Sequence, residues 1–137
     1  MRRYLLDTGT LVAYLQGKPQ VVRLVSPMLT SQQAATSMVV YGEVVEHFKS
    51  FPDFADRKRQ LHRLLRYISP YFLTYPILER YADIRRSLRK PHGTGLIGDI
   101  DTLIAATALE RKLTVITYDK DFQRVPGLKV TLLSRAE

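Results

Sequence analysis

Short apolar runs alternate with stretches of helical periodicity along most of this chain, and that alternation is its strongest constraint. Residues 3–6 (Arg-Tyr-Leu-Leu) suit a buried strand ending at Asp7, after which Thr8 can cap a helix over 9–16, stopped by Gly17 and Pro19. From Pro19, the apolar residues Val22, Val25, Met28 and Leu29 recur at helical spacing. Residues 34–38 read as a second strand, and 39–49 as a helix with Val40, Val44 and Phe48 on one stripe. Asp53 is placed to cap a basic helix ending near Tyr67. Residues 68–74 are aromatic and β-prone, although Pro70 limits them to an edge strand. Pro76 starts a helix with Ile77, Tyr81, Ile84 and Leu88 inward, followed by the loop Pro91-His-Gly-Thr-Gly. An Ala- and Leu-rich helix over 99–112 precedes strands at 113–117 and 129–133. Such alternation predicts an α/β fold, with a mainly parallel central sheet flanked by helices. No repeat or linker interrupts it, so one domain over 1–137 is expected.

Composition narrows the chemistry. The chain has no cysteine, which excludes disulfides, thiolate metal sites and a cysteine nucleophile. The start Met-Arg-Arg-Tyr-Leu-Leu-Asp has too short an apolar run for a secretory signal, and no stretch approaches a membrane span. A cytoplasmic protein without membrane contact is expected. Lys and Arg number 21 against 13 Asp and Glu, a net charge of +8 that favours a polyanionic partner over simple solubility. Arg57, Lys58, Arg59, Arg63 and Arg66 lie on one helix; Arg80, Arg85, Arg86, Arg89 and Lys90 lie on another. Each alone reads as a solvated face; together they suit contacts to nucleic-acid phosphates, above all Arg85, Arg86, Arg89 and Lys90. Tyr67, Tyr71, Phe72 and Tyr75 could stack bases but fit core or dimer contacts better. His47, His62 and His92 lack metal-ligand spacing, and no phosphate-binding glycine loop or nucleophilic serine motif is present.

Four acids stand where chemistry is expected. In an open parallel sheet, ligands bind beyond the carboxyl ends of the strands. Asp7 follows the first strand directly and Asp119 follows Thr117 by two residues, so both belong at that edge. Asp101 lies in the first turn of its helix, with Gly98 or Asp99 as the cap, and shares a stripe with Ala105 and Ala108. Its plainer role is to complement the helix dipole. Glu43 sits between Val40 and Val44, where pairing with His47 is the plainer alternative. Carboxylates converging without a cation repel one another, and a divalent ion resolves the conflict. Oxygen ligands without cysteine favour Mg²⁺ or Mn²⁺ and suit phosphodiester hydrolysis.

Leu5-Leu-Asp-Thr-Gly, Glu43 in its helix, Gly98-Asp-Ile-Asp-Thr-Leu-Ile-Ala-Ala-Thr-Ala-Leu and Val115-Ile-Thr-Tyr-Asp-Lys-Asp-Phe together resemble the PIN-domain family. Within it the chain is similar to the VapC toxins of toxin–antitoxin pairs, and the similarity extends to Phe122-Gln-Arg-Val-Pro-Gly-Leu. The resemblance implies a PIN-like fold and Mg²⁺- or Mn²⁺-dependent cleavage of RNA, with tRNA or another structured RNA as substrate. It implies Asp7 and Asp101 as principal metal ligands, Glu43 completing the cluster or acting through water, and Asp119 as the fourth acid. Thr8 and Thr117 would be hydrogen-bonding neighbours. Asp99 competes with Asp101, which directly precedes the Thr-Leu-Ile-Ala-Ala stretch as the family's helix acid does. Asp121 competes with Asp119 but precedes Phe122, a pairing that reads as supporting. A cognate VapB-type antitoxin and a homodimer are implied likewise. Two other readings use the same residues: a PIN-type nuclease of RNA processing or DNA cleavage, and a non-catalytic nucleic-acid-binding domain.

Overall fold

A computed structural model describes residues 1–135. Its strands are β1 (Tyr4–Leu6), β2 (Ala34–Ser37), β3 (Ser69–Tyr71), β4 (Thr114–Thr117) and β5 (Val130–Leu132). All neighbouring pairs are parallel, in the order β3-β2-β1-β4-β5. Parallel neighbours need long crossovers, which the helices supply. Helices α1 (Thr8–Leu15) and α2 (Pro19–Thr30) join β1 to β2, and α3 (Met38–Phe48) and α4 (Phe54–Leu64) join β2 to β3. Helices α5 (Tyr75–Leu88) and α6 (Asp99–Arg111) then carry the chain from the β3 edge back to β4, on the other side of β1. A short 3₁₀ helix over Lys120–Arg124 precedes β5.

The central strands are apolar because both faces are covered: Leu5, Leu6, Ala34, Ala35, Val115 and Ile116 have no exposed surface. The inward stripe of α3 is Val40, Val44 and Phe48. In α2 it begins at Val21 rather than Val22, continuing through Val25, Met28 and Leu29. Pro70 sits in edge strand β3, where its missing N–H interrupts no second ladder. Met38 opens α3 instead of ending β2, because the Ser37 hydroxyl accepts the Val39 N–H and caps the helix there. Asp53 precedes α4, yet its carboxylate binds Arg57 at 2.8 Å rather than a backbone N–H. Among the described residues, no helix is long and apolar enough to cross a membrane.

Strand order changes direction at β1: successive strands β1, β2 and β3 run one way, whereas β4 returns to the other flank. A crevice beyond the carboxyl ends of β1 and β4 follows from that reversal. The register pairs Leu6 with Ile116, so Asp7 and Thr117 emerge side by side.

Candidate active site

Asp7 is 6% exposed and is itself the N-cap of α1. Its Oδ1 accepts the Thr10 N–H at 3.0 Å, and its Oδ2 accepts the Thr117 hydroxyl at 2.5 Å. Thr8 was the expected cap; it lies inside the helix, and its hydroxyl donates to Glu43 instead. The correction has a simple cause. Asp7 has extended backbone (φ −81°, ψ −179°) and a side chain of the length that reaches the N–H three residues on. Thr10, which sequence reasoning passed over, anchors α1 to β4 by donating its hydroxyl to the Ile116 carbonyl at 2.7 Å.

Thr117 links two acids. Its hydroxyl donates to Asp7 and accepts the Asp119 N–H at 2.9 Å. Asp119 Oδ1 in turn accepts the Asp121 N–H at 2.9 Å and caps the 3₁₀ helix. The Asp121 carboxylate leans toward Arg124, 3.5 Å away. Repulsion from Asp119 acts on both Asp7 and Asp101, while Asp121 appears among the influences on Asp101.

The rivals at the start of α6 are separated by direction. Asp99 is exposed and turned toward α5, where it takes Arg85 at 2.6 Å and the Tyr81 hydroxyl at 3.4 Å. Asp101 is half-buried and leads the stripe that continues through buried Ala105 and Ala108. Burial, followed by repulsion from Asp119, Asp7, Glu43 and Asp121, pushes its carboxyl up to about 6. Burial likewise raises Asp7, against the lowering effect of the Thr117 and Thr10 hydrogen bonds. Four elements therefore bring Asp7, Glu43, Asp101 and Asp119 within electrostatic reach.

The remaining sequence candidates divide. Arg85 is half-buried in its ion pair, while Arg86, Arg89 and Lys90 are exposed at the end of α5. On α4, Arg57 lies over Phe51 at 4.3 Å and Arg59 pairs with Asp56, leaving Lys58 and Arg63 exposed, with Arg66 exposed just beyond the helix end. Tyr67, Phe72 and Tyr75 are 57%, 70% and 85% exposed, which overturns a core role for them. Tyr71 is half-buried beneath Arg111.

The PIN domain family model matches residues 4–128. The chain belongs to the PIN-domain family. No curated protein sequence matches it. Solved structures share its fold: VapBC2 from Rickettsia felis bound to a promoter DNA fragment has a TM-score of 0.84 at 20% identity, covering 96% of this chain and 98% of that one. DNA-bound VapBC from Salmonella typhimurium gives 0.83 at 22% identity, covering 96% and 98%. FitAcB from Neisseria gonorrhoeae gives 0.71 at 25% identity, covering 93% and 95%.

PIN-domain nucleases generally use divalent metal ions. Among the described residues, no three Asp, Glu or His side chains form a ready-made metal cage. The donor chemistry of this PIN domain nevertheless fits a hard cation. The converging atoms are carboxylate oxygens, Asp7 and Glu43 are oriented by threonine hydroxyls, and Asp101 is raised by burial and then by repulsion from the other acids, the part a cation would relieve.

Proposed function

We propose that this chain is a VapC-type toxin: an endoribonuclease that uses Mg²⁺ or Mn²⁺ to hydrolyse phosphodiester bonds in tRNA or another structured RNA. The observation that carries the reading is the convergence of Asp7, Glu43, Asp101 and Asp119 at the switch point of a basic PIN-domain protein. Asp7 and Asp101 would hold the ion principally, with Glu43 and Asp119 completing the cluster and Thr8 and Thr117 fixing carboxylate orientation. Asp99 and Asp121 are supporting acids, occupied with Arg85 and Arg124 respectively. When bound, the ion supplies an activated water and neutralises charge at the scissile phosphate. The exposed cations Arg86, Arg89 and Lys90, with Arg85 beside them, would hold RNA phosphates, which positions the substrate without reading its sequence.

A nuclease of this kind harms its host when free, which is a physical reason for an inhibitory partner. The VapBC complexes that share the fold favour a VapB-type antitoxin as that partner. We infer that it would lay a peptide over the acids with a basic side chain among them, which their repulsion invites. Exposed Phe72, Leu73, Tyr75 and Leu78, at the end of β3 and the start of α5, favour a homodimer. A cytoplasmic location follows from such a substrate.

The test is incubation of the purified protein with total RNA and Mg²⁺ or Mn²⁺, beside Asp7→Asn and Asp101→Asn. Cleavage should vanish in EDTA and fall by at least about a hundredfold in either variant, since each removes a ligand charge. Cleavage that survives a substitution or ignores EDTA would sink the site. Sequencing the fragment ends names the substrate.

A further inference from the structure

A cleft of about 810 Å³ runs beside the acids, between α1, the start of α2 and the segments that follow β4 and β5. Its lining includes Gly9, Gln16, Lys18, Gln20, Tyr118 and Arg135, and no carboxylate among its residues. We propose that this cleft is a nucleotide subsite for the RNA strand flanking the scissile phosphate. A base stacks on the Tyr118–Arg135 pair, and Lys18 and Arg135 hold the adjoining phosphates. The proposal rests on the nuclease reading and adds where the substrate strand lies.

Three observations carry it. Position comes first: Tyr118 stands between Thr117, which holds Asp7, and Asp119, so its ring is tied by one peptide unit to each acid-bearing link. A Cβ built on Gly9 would stand 4.0 Å from Asp7 Oδ1 and 4.0 Å from Tyr118 Cδ2. Gly9 thus borders both the carboxylate and the ring with no side chain of its own, so the cleft opens next to Asp7. Second, the Arg135 guanidinium sits 4.7 Å over the Tyr118 ring. Unpaired bases stack on tyrosine rings and on guanidinium planes alike. Third, the charge is one-sided. Two cations and two amides line the cleft, a set that attracts phosphate and can hydrogen-bond base edges, and none of the acids is among its lining residues. The volume lies within the range of about 300–1,000 Å³ typical of small-ligand sites, so a nucleotide fits.

The experiment measures anisotropy of a labelled, mixed-sequence single-stranded oligoribonucleotide titrated with the whole chain in EDTA, so that binding is read without cleavage. Cleavage of the same RNA is then followed in Mg²⁺, with fragment ends sequenced. Tyr118→Ala should weaken metal-free binding by about tenfold or more, and Tyr118→Phe should bind within about twofold of the wild type. Arg135→Gln and Lys18→Gln, at the cleft rim, should weaken binding severalfold and make its salt dependence shallower. Base preference beside the cut should relax in Tyr118→Ala. A merely structural lesion next to Asp119 would instead lower kcat at saturating RNA and leave metal-free binding intact, which overturns the proposal. If the wild type cleaves RNA and all three substitutions leave affinity and cut sites unchanged, the subsite falls and the nuclease reading stands. If the substitutions spare RNA and weaken only a co-expressed antitoxin, the cleft belongs to a protein ligand and the proposal is overturned. If the wild type neither binds nor cleaves RNA, both readings fall.

Discussion

Asp7 and Asp101 are both acids driven upward by burial, but they answer it differently. Asp7 is compensated by the Thr10 N–H and the Thr117 hydroxyl, whereas Asp101 faces mainly other carboxylates. That difference predicts how the metal-free protein responds to pH. The folded Asp101 holds its proton up to about 6, above its ordinary value of 3.8, so the folded state binds more protons than the unfolded state in between. The associated stability is present below pH 4 and is lost as pH rises through 6. Urea unfolding in EDTA should therefore show this site's contribution falling across that window, by less than the full shift because solvent screens a half-exposed carboxylate. Asp101→Asn removes the charge, so above pH 6 it should be more stable than the wild type while failing to cleave RNA. Loss of stability in that variant would mark Asp101 as a helix-dipole partner instead. The residues themselves were legible as acids at strand and helix ends. Which one capped α1 was not, because capping depends on backbone angles at Asp7 that residue types do not state.

Helix α5 was readable from its apolar spacing and α6 from its richness in Ala and Leu, and their packing against one another sets the direction of Asp99. The connection between them was readable only as a loop rich in Pro and Gly. In the fold it is fastened at two points. Gly93 lies so close to α5 that a Cβ there would come within 2.6 Å of Leu88 Cα. From the 3₁₀ helix, Arg124 donates to the Thr94 hydroxyl at 3.1 Å and to the Gly95 carbonyl, while also meeting Asp121. Arg124 thus braces the loop that connects Lys90 to the acids of α6. Arg124→Ala should cost about 1.5 to 3 kcal/mol, the range for hydrogen bonds to charged groups, and speed amide hydrogen exchange over residues 93–97. Unchanged exchange there would mean that Gly93 packing alone holds the loop. No periodicity encodes such a contact: the loop and the arginine are about thirty positions apart in the chain.

For the whole molecule, a net charge of +8 is an argument about partners, and the fold distributes it unevenly. Lys58 and Arg63 face outward on α4 with Arg66 just past its end, and Arg86, Arg89 and Lys90 lie at and just past the end of α5. RNA held by the latter three releases counterions as it binds. Replacing all three with alanine should reduce the slope of log affinity against log salt by about two to three units, measured in EDTA between 50 and 200 mM salt as a typical range. A slope equal to that of the wild type would place the RNA path elsewhere. The aromatic residues near β3 were legible as apolar but not as exposed. Tyr67, Phe72 and Tyr75 alternate with buried Ile68 and Ile77 in a stretch whose neighbours across the sheet edge only the fold supplies.

The sequence by itself determined the alternation that makes the sheet parallel, the stripes of α3 and α5, the excess of positive charge and the supply of acids at strand and helix ends. These are local properties, written in the spacing of residue types over one or two turns. Tertiary structure decided that Asp101 rather than Asp99 faces the other acids, that Asp7 rather than Thr8 caps α1, and that Thr117 joins Asp7 to Asp119. It also decided that Tyr118 and Arg135 meet across the cleft. The reason is geometric. A distance of 2.5 Å between residues more than a hundred positions apart is set by the pairing of β1 with β4, and one residue of register slip would point every side chain the other way.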